Sequence, residues 1–240
     1  MSDTKVTGPL FKWFGSKWLA SKLYPAPDHD TVFEPYAGSA GYSLRHHEKK
    51  IVLWEENPNV SALWQWLIGE ASSASVLEIP VGVPEGTDIG TLGLSVGQSL
   101  LLKHWQRTNN VGPCSTISPW GNKPGQWTAN TRARVAEELH AVKHWKVGRI
   151  HPDSPGTYFL DPPYIYNYRY GFKEFDHAGL VKKIAMIPRG SQIIACEAAC
   201  QKTGRVPDYL PFEPFGLRIT SRRKTTENHH SREYLYHEKR

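Results

Sequence analysis

The chain has 240 residues, with 29 Lys and Arg against 23 Asp and Glu, a formal net charge of +6. That length buries a sizeable core in one large domain or in one domain with an insertion, and the positive balance favours a polyanionic partner without establishing one. No apolar run approaches the ~18 residues of a membrane helix, residues 1–5 lack the apolar centre of a secretory signal, and three Cys are too few for a disulfide framework, so a reducing, cytoplasmic setting is expected.

Taken in chain order, Thr31-Val32-Phe33 predicts a short strand that stops at Glu34-Pro35. The glycine turn Ala37-Gly38-Ser39-Ala40-Gly41 follows, then a helical stretch over 42–47. Ile51 to Trp54 is a second apolar run, ended by Glu55-Glu56-Asn57-Pro58. Val60, Leu63, Trp64 and Leu67 share one face of a helix over 60–67. Strand, turn, helix, strand, acid, helix is the grammar of a nucleotide-binding βαβ unit.

The character changes between 69 and 149. Residues 71–97 are rich in Gly, Ser, Pro and Val with no clean period, while 98–107 and 130–146 look helical around a loop over 109–126. This block reads as an insertion. From 150 the α/β grammar returns: a strand at Tyr158-Phe159-Leu160, an amphipathic helix over 176–187 and a buried strand over 192–196. The tail, 217–236, is expected to form two strands around a polar turn at 225–230.

Three strand ends or turns carry candidate chemistry. Gly38 and Gly41 allow tight backbone geometry and close approach by a ligand. An acid one strand later, Glu55 or Glu56, stands where such folds hold the two ribose hydroxyls of a nucleoside; a solvated acidic helix start before Asn57-Pro58 is the plain alternative. At Asp161-Pro162-Pro163-Tyr164, two prolines after an acid make a rigid corner. The Asp161 carboxylate and the Pro162 carbonyl can accept the two hydrogens of an aromatic amine while Tyr164 stacks on its ring. Near the N-terminus, Lys12 and Lys17 bracket an aromatic pair and a Gly-Ser turn, which suits a bound carboxylate or phosphate. No metal is expected, because His46-His47 and His229-His230 are adjacent pairs and Cys196-x-x-x-Cys200 has too few partners for zinc.

These motifs, in this order, resemble those of the Dam-like adenine-specific DNA methyltransferases with the alpha motif order. Residues 12–17, Lys-Trp-Phe-Gly-Ser-Lys, are similar to the family's K-W-x-G-G-K; residues 33–41 to its E-P-F-x-G-x-G loop; Glu55-Glu56-Asn57 to its D-x-N acid; and Asp161 to Tyr164 are its D-P-P-Y unchanged. The resemblance covers residues 10–67 well and 155–200 in part. It implies an α/β, Rossmann-like S-adenosylmethionine-dependent methyltransferase fold built from 1–68 and 150–240, with a partly helical target-recognition region inserted at 69–149. It implies that Trp13 and Lys17 contact the cofactor, that Glu34, Tyr36, Ala37, Gly38, Ser39 and Gly41 wrap it, that Glu55 or else Glu56 holds its ribose, and that Asp161, Pro162, Pro163 and Tyr164 serve catalysis, with Asp161 also touching the methyl donor. Ser16, Tyr36 and Glu55 depart from the family's Gly, Phe and Asp. DNA is the expected partner, contacted by Lys12, Arg107, Asn109, Asn110 and Lys123 and by Arg222, Arg223 and Lys224 of the tail. RNA, or binding without turnover, is the alternative.

Overall fold

The computed structural model describes residues 5–106, 113–150, 153–165, 175–200, 203–219 and 231–240. Among them, seven strands form one sheet: β1 (Thr31–Pro35), β2 (Lys50–Trp54), β3 (Lys146–Val147), β4 (Thr157–Leu160), β5 (Gln192–Ala198), β6 (Glu213–Ile219) and β7 (Ser231–Lys239). Their order is β3-β2-β1-β4-β5-β7-β6. Strands β3, β2, β1, β4 and β5 run parallel, β7 is antiparallel to β5, and β6 is antiparallel to β7. This mixed α/β architecture is compatible with a Rossmann-like fold. The strand order reverses between β1 and β4, and open α/β sheets bind ligands outside the carboxyl ends of the strands at such a switch point.

The helices begin where side chains satisfy their first N–H groups. Helix α1 (Gly41–Arg45) follows the glycine turn. Helix α2 (Pro58–Gln65) starts with Pro58 in its first turn, and the Asn57 side chain accepts from Asn59 N and Val60 N; it runs on into a wider turn at Trp66–Glu70. Short α3 (Ser73–Leu77) and longer α4 (Val96–Trp105) each carry reciprocal Ser caps, Ser72 with Ser75 and Ser95 with Gln98. Thr128 caps α5 (Ala129–Glu138), and Asp176 caps α6 (His177–Ala185). No helix among the described residues is long and apolar enough to cross a membrane.

The central strands β4 and β5 are buried on both faces, which is why they read as unbroken apolar runs. Tyr158, Leu160, Ile193 and Ala195 pack against Leu180, Ile184 and Ile187 at α6. On the opposite face Phe159, Ile194 and Cys196 join a larger core that includes Leu10, Phe11, Leu63, Trp64, Trp105, Trp127 and Val135. The block inserted between β2 and β4 thus shares one core with the sheet and the N-terminal segment.

Two elements differ from the sequence reading. The helix expected over 130–146 ends at Glu138 and tightens at Leu139–Val142; Lys146 and Val147 pair instead with Val52 and Leu53 as β3. The open edge of β2 supplies ladder partners that local periodicity does not encode. β6 begins at Glu213, four residues before the expected start, and a register shift lies between Pro214 and Arg218. A proline is tolerated there because β6 is an edge strand.

Candidate active site

The glycine turn leaves the carboxyl end of β1 under backbone strain. Tyr36, Gly38 and Ala40 all have positive φ, at 69°, 48° and 49°, and only glycine takes that region without cost. A Cβ on Gly38 would come 2.4 Å from Trp13 Cδ1, and one on Gly41 would come 2.3 Å from the backbone N of Trp18. The N-terminal motif therefore lies directly against the loop. Trp64 Nε1 donates to Gly38 O at 2.7 Å, and Ser39 Oγ lies 2.8 Å from Ser16 Oγ, closing the two segments together.

Glu55, at the carboxyl end of β2, grips the same turn. Its Oε2 accepts from Gly38 N at 2.8 Å and its Oε1 from Asn57 N at 2.9 Å. Burial pushes its carboxyl above the usual range, and the backbone N–H groups of Asn57 and Gly38 pull it back. Glu56 is exposed at the rim. Glu34 carries its hydrogen bonds into α1: its buried carboxyl accepts from both the N–H and the hydroxyl of Ser43. Burial lifts Glu34 to about 8 against those hydrogen bonds. Its described polar partner thus belongs to the helix start.

From β4, Asp161 meets Lys17. Nζ of Lys17 lies 2.6 Å from Asp161 Oδ2, with the two side chains 5 % and 17 % exposed. The same ammonium lies 5.0 Å over the Tyr164 ring and donates to Gly15 O at 3.0 Å. Burial raises the Asp161 carboxyl and Lys17 holds it down. His177 Nε2 lies 3.1 Å from the Pro163 carbonyl, bracing the proline corner from α6.

These residues surround one cleft, lined by Trp13, Phe14, Ser16, Lys17, Glu34, Tyr36, Ala37, Gly38, Ser39, Gly41, Glu55, Glu56, Asp161 and Pro163. Every residue singled out from the sequence as cofactor-binding lines it. Pro162 is buried behind the corner. Tyr164 packs partly buried against the core, with its hydroxyl on Glu233 at 2.8 Å. A second groove between α6 and the sheet shares Tyr36 and Glu56 with this cleft.

Four contributors carried no local motif. Phe175 lines the cleft and meets Tyr36 edge-on at 5.4 Å. His104 of α4 packs 5.8 Å behind Trp13. Glu233 lies behind Lys17 and Tyr164, and the Tyr24 hydroxyl donates to its Oε2. The signal for Glu233 was its alternation with Leu235 on the buried face of β7, an unusual place for an acid.

The expected nucleic-acid contacts divide. Lys12 donates to Gln126 Oε1 at 2.6 Å and lies 5.5 Å over the Trp105 ring, and burial lowers it to about 8; it ties the N-terminal motif to the inserted block. Lys123 is exposed and sits 3.9 Å over Trp120, which is itself 50 % exposed. Arg107, Asn109, Asn110, Arg222, Arg223 and Lys224 lie outside the described residues, as does the expected turn at 225–230.

Set beside known proteins, the chain matches no family model, and no curated protein matches it significantly.

Proposed function

We propose that the chain transfers a methyl group from S-adenosylmethionine to the exocyclic amine of an adenine in DNA. The observation that carries this reading is convergence: the Asp161-Pro162-Pro163-Tyr164 corner, the glycine turn and the acid after β2 meet around one cleft at the switch point of the sheet. The residues present fit the cofactor. Glu55 offers a carboxylate for a ribose diol, Lys17 a cation for a carboxylate, and Tyr36 and Phe175 offer rings for a base. The missing Cβ of Gly38 leaves room that a side chain would take from Trp13.

When bound, the cofactor supplies an electrophilic methyl group on a sulfonium. The protein's task is then to sharpen a poor nucleophile, since the adenine amine shares its lone pair with the ring. Asp161 and the Pro162 carbonyl accept the two amine hydrogens and localise that lone pair, an electrostatic effect needing no covalent intermediate. Burial raises the proton affinity of Asp161, so its carboxylate accepts more strongly, while the Lys17 ammonium favours its ionised form. Tyr164, held at its hydroxyl, backs the corner with a ring of fixed orientation beneath the Lys17 ammonium, and the target base leaves the helix to reach the corner. The positive net charge suits a phosphate backbone.

The test is transfer of labelled methyl from S-adenosylmethionine to DNA, RNA and protein, each offered separately. Label in DNA recovered as methylated adenine supports the reading. Label in RNA or protein alone moves the substrate class, and cofactor binding without transfer to any of the three leaves a binding protein.

A further inference from the structure

We propose that Glu233 of β7 is a positioning residue of this site, holding Lys17 and Tyr164 in place against Asp161. The inference rests on the methyl-transfer reading and deepens it. Glu233 is 4 % exposed and does not itself line the cleft. Its Oε1 accepts the Tyr164 hydroxyl at 2.8 Å and lies 3.6 Å from Lys17 Nζ. Its Oε2 accepts the Tyr24 hydroxyl. One carboxylate thus joins the segment after the N-terminal motif, the lysine within that motif and the tyrosine of the β4 corner.

A carboxylate in this position needs a reason. Leu235 shares its strand face and is buried, and an apolar residue there would pack without the cost of desolvating a charge. What the carboxylate adds is definition. Lysine is a point charge on a flexible stem, and beside Asp161 its ammonium meets Gly15 O and the Tyr164 ring. Glu233, on a different strand, adds a second carboxylate 3.6 Å from the same ammonium. The Tyr164 ring turns about its side-chain bonds unless its far end is held, and Glu233 holds it.

The arrangement also acts on Asp161 through charge. Lys17, Glu233 and the Tyr164 hydroxyl surround Asp161, and the carboxyls of Glu34 and Glu197 and the Cys196 thiol also feel it. Among these, Glu233 raises the proton affinity of Asp161 and Lys17 lowers it. Removing the negative charge of Glu233 therefore moves Asp161 downward, an effect that a purely structural role would not produce.

The experiment compares the full-length wild type with Glu233→Gln and Glu233→Asp. Glu233→Gln is expected to lower kcat on DNA at least about tenfold, with KM for DNA little changed. The acid limb of its pH–rate profile moves to lower pH, and so does the Asp161 titration followed by carboxyl carbon NMR. Glu233→Asp, which restores the charge, returns the limb toward wild type. A Glu233→Gln protein with wild-type kcat, or with an unmoved Asp161 titration, overturns the proposal. If Glu233→Gln does not fold, Glu233→Asp decides: it keeps the charge and shortens the reach to Tyr164 and Lys17, so a tenfold fall in kcat supports the role and a wild-type kcat overturns it. A wild-type protein that transfers methyl to nothing overturns the functional reading itself, an outcome distinct from a normal wild type with an indifferent Glu233→Gln.

Discussion

The Lys17 ammonium lies 2.6 Å from Asp161 Oδ2, joining two residues 144 positions apart in a nearly dry contact. This pair makes Asp161 both a candidate catalytic group and a partner of a buried charge. Asp161→Ala is therefore expected to do two things. Transfer falls at least about a hundredfold, as loss of an activating acceptor does. Stability falls by about 2 kcal/mol, below the ~3–5 kcal/mol of a wholly abandoned buried partner, because Glu233 stays within 3.6 Å of the ammonium. Asp161→Asn keeps the shape, loses the transfer and melts closer to wild type. Thermal melts beside the transfer assay check both halves.

Gly38 and Gly41 are expected to fail differently. An alanine at Gly38 presses on the Trp13 indole, a side chain that can swing away, and sits at φ 48°. An alanine at Gly41 presses on the backbone of Trp18, which cannot. Gly38→Ala should weaken binding of S-adenosylmethionine with a moderate loss of stability, about 1 kcal/mol from the left-handed backbone. Gly41→Ala should lower the melting temperature further. Calorimetry and melting curves on the two variants separate the effects.

Glu55 and Glu56 are also separable. Glu55→Gln replaces one acceptor oxygen with an N–H₂ group facing a backbone N–H of Gly38 or Asn57. The turn loses a partner and the ribose an acceptor, so the cofactor dissociation constant should rise at least about tenfold, a loss of about 1.4 kcal/mol. Glu56→Gln, at the exposed rim, should change it less than about threefold. The demethylated cofactor serves as a second ligand in the same titrations.

Stability should decline toward alkaline pH. Burial lifts the Glu34 carboxyl to about 8 and that of Glu197 to about 7, both from 4.5. The folded chain holds these protons more tightly than the unfolded chain. Their contribution is complete below the ordinary carboxylate range and is lost as pH rises through about 7 to 8. Each tenfold difference in proton affinity is worth about 1.4 kcal/mol. Glu34→Gln, which cannot ionise, should lose less stability than wild type between about pH 5 and pH 9. Denaturant melts across that range read the difference, and parallel curves for the two proteins would contradict it.

The tryptophans of the inserted block fall into two classes. Trp127 is 1 % exposed and lies 6.2 Å from the Trp105 ring, with its indole N–H on Pro80 O at 3.0 Å. Trp127→Ala should cost about 3–5 kcal/mol. Trp120, half-exposed under Lys123, belongs to no such core. Trp120→Ala should leave the melt unchanged and weaken DNA binding, and Lys123→Ala should reduce the salt slope of binding by about one. Fluorescence anisotropy with a labelled duplex at several salt concentrations measures both.

The sheet's inner strands and the motifs at their ends are legible in the amino-acid sequence itself. Thr31 to Phe33, Ile51 to Trp54, Tyr158 to Leu160 and Gln192 to Cys196 are apolar runs cut off by prolines, acids or glycines, and each of those signals is local. The glycine turn, the acids after β2 and the Asp161 corner sit at strand ends for the same reason, and strand ends on one side of a parallel sheet meet when the sheet forms. What the tertiary structure alone decided are the relationships that depend on strand order. Tyr24 reaches Glu233 across 209 positions because β7 inserts antiparallel beside β5. Lys146 and Val147 become a strand because β2 has a free edge. Glu55, not Glu56, turns onto Gly38 because side chains alternate at the end of an extended strand and the glycine turn lies on one side only. Lys12 spends its charge on Gln126 because the inserted block folds back over the N-terminal motif. Local periodicity reports which residues favour a strand or a turn; it carries no record of which distant segment will lie alongside, and that choice is made by burial of the shared core.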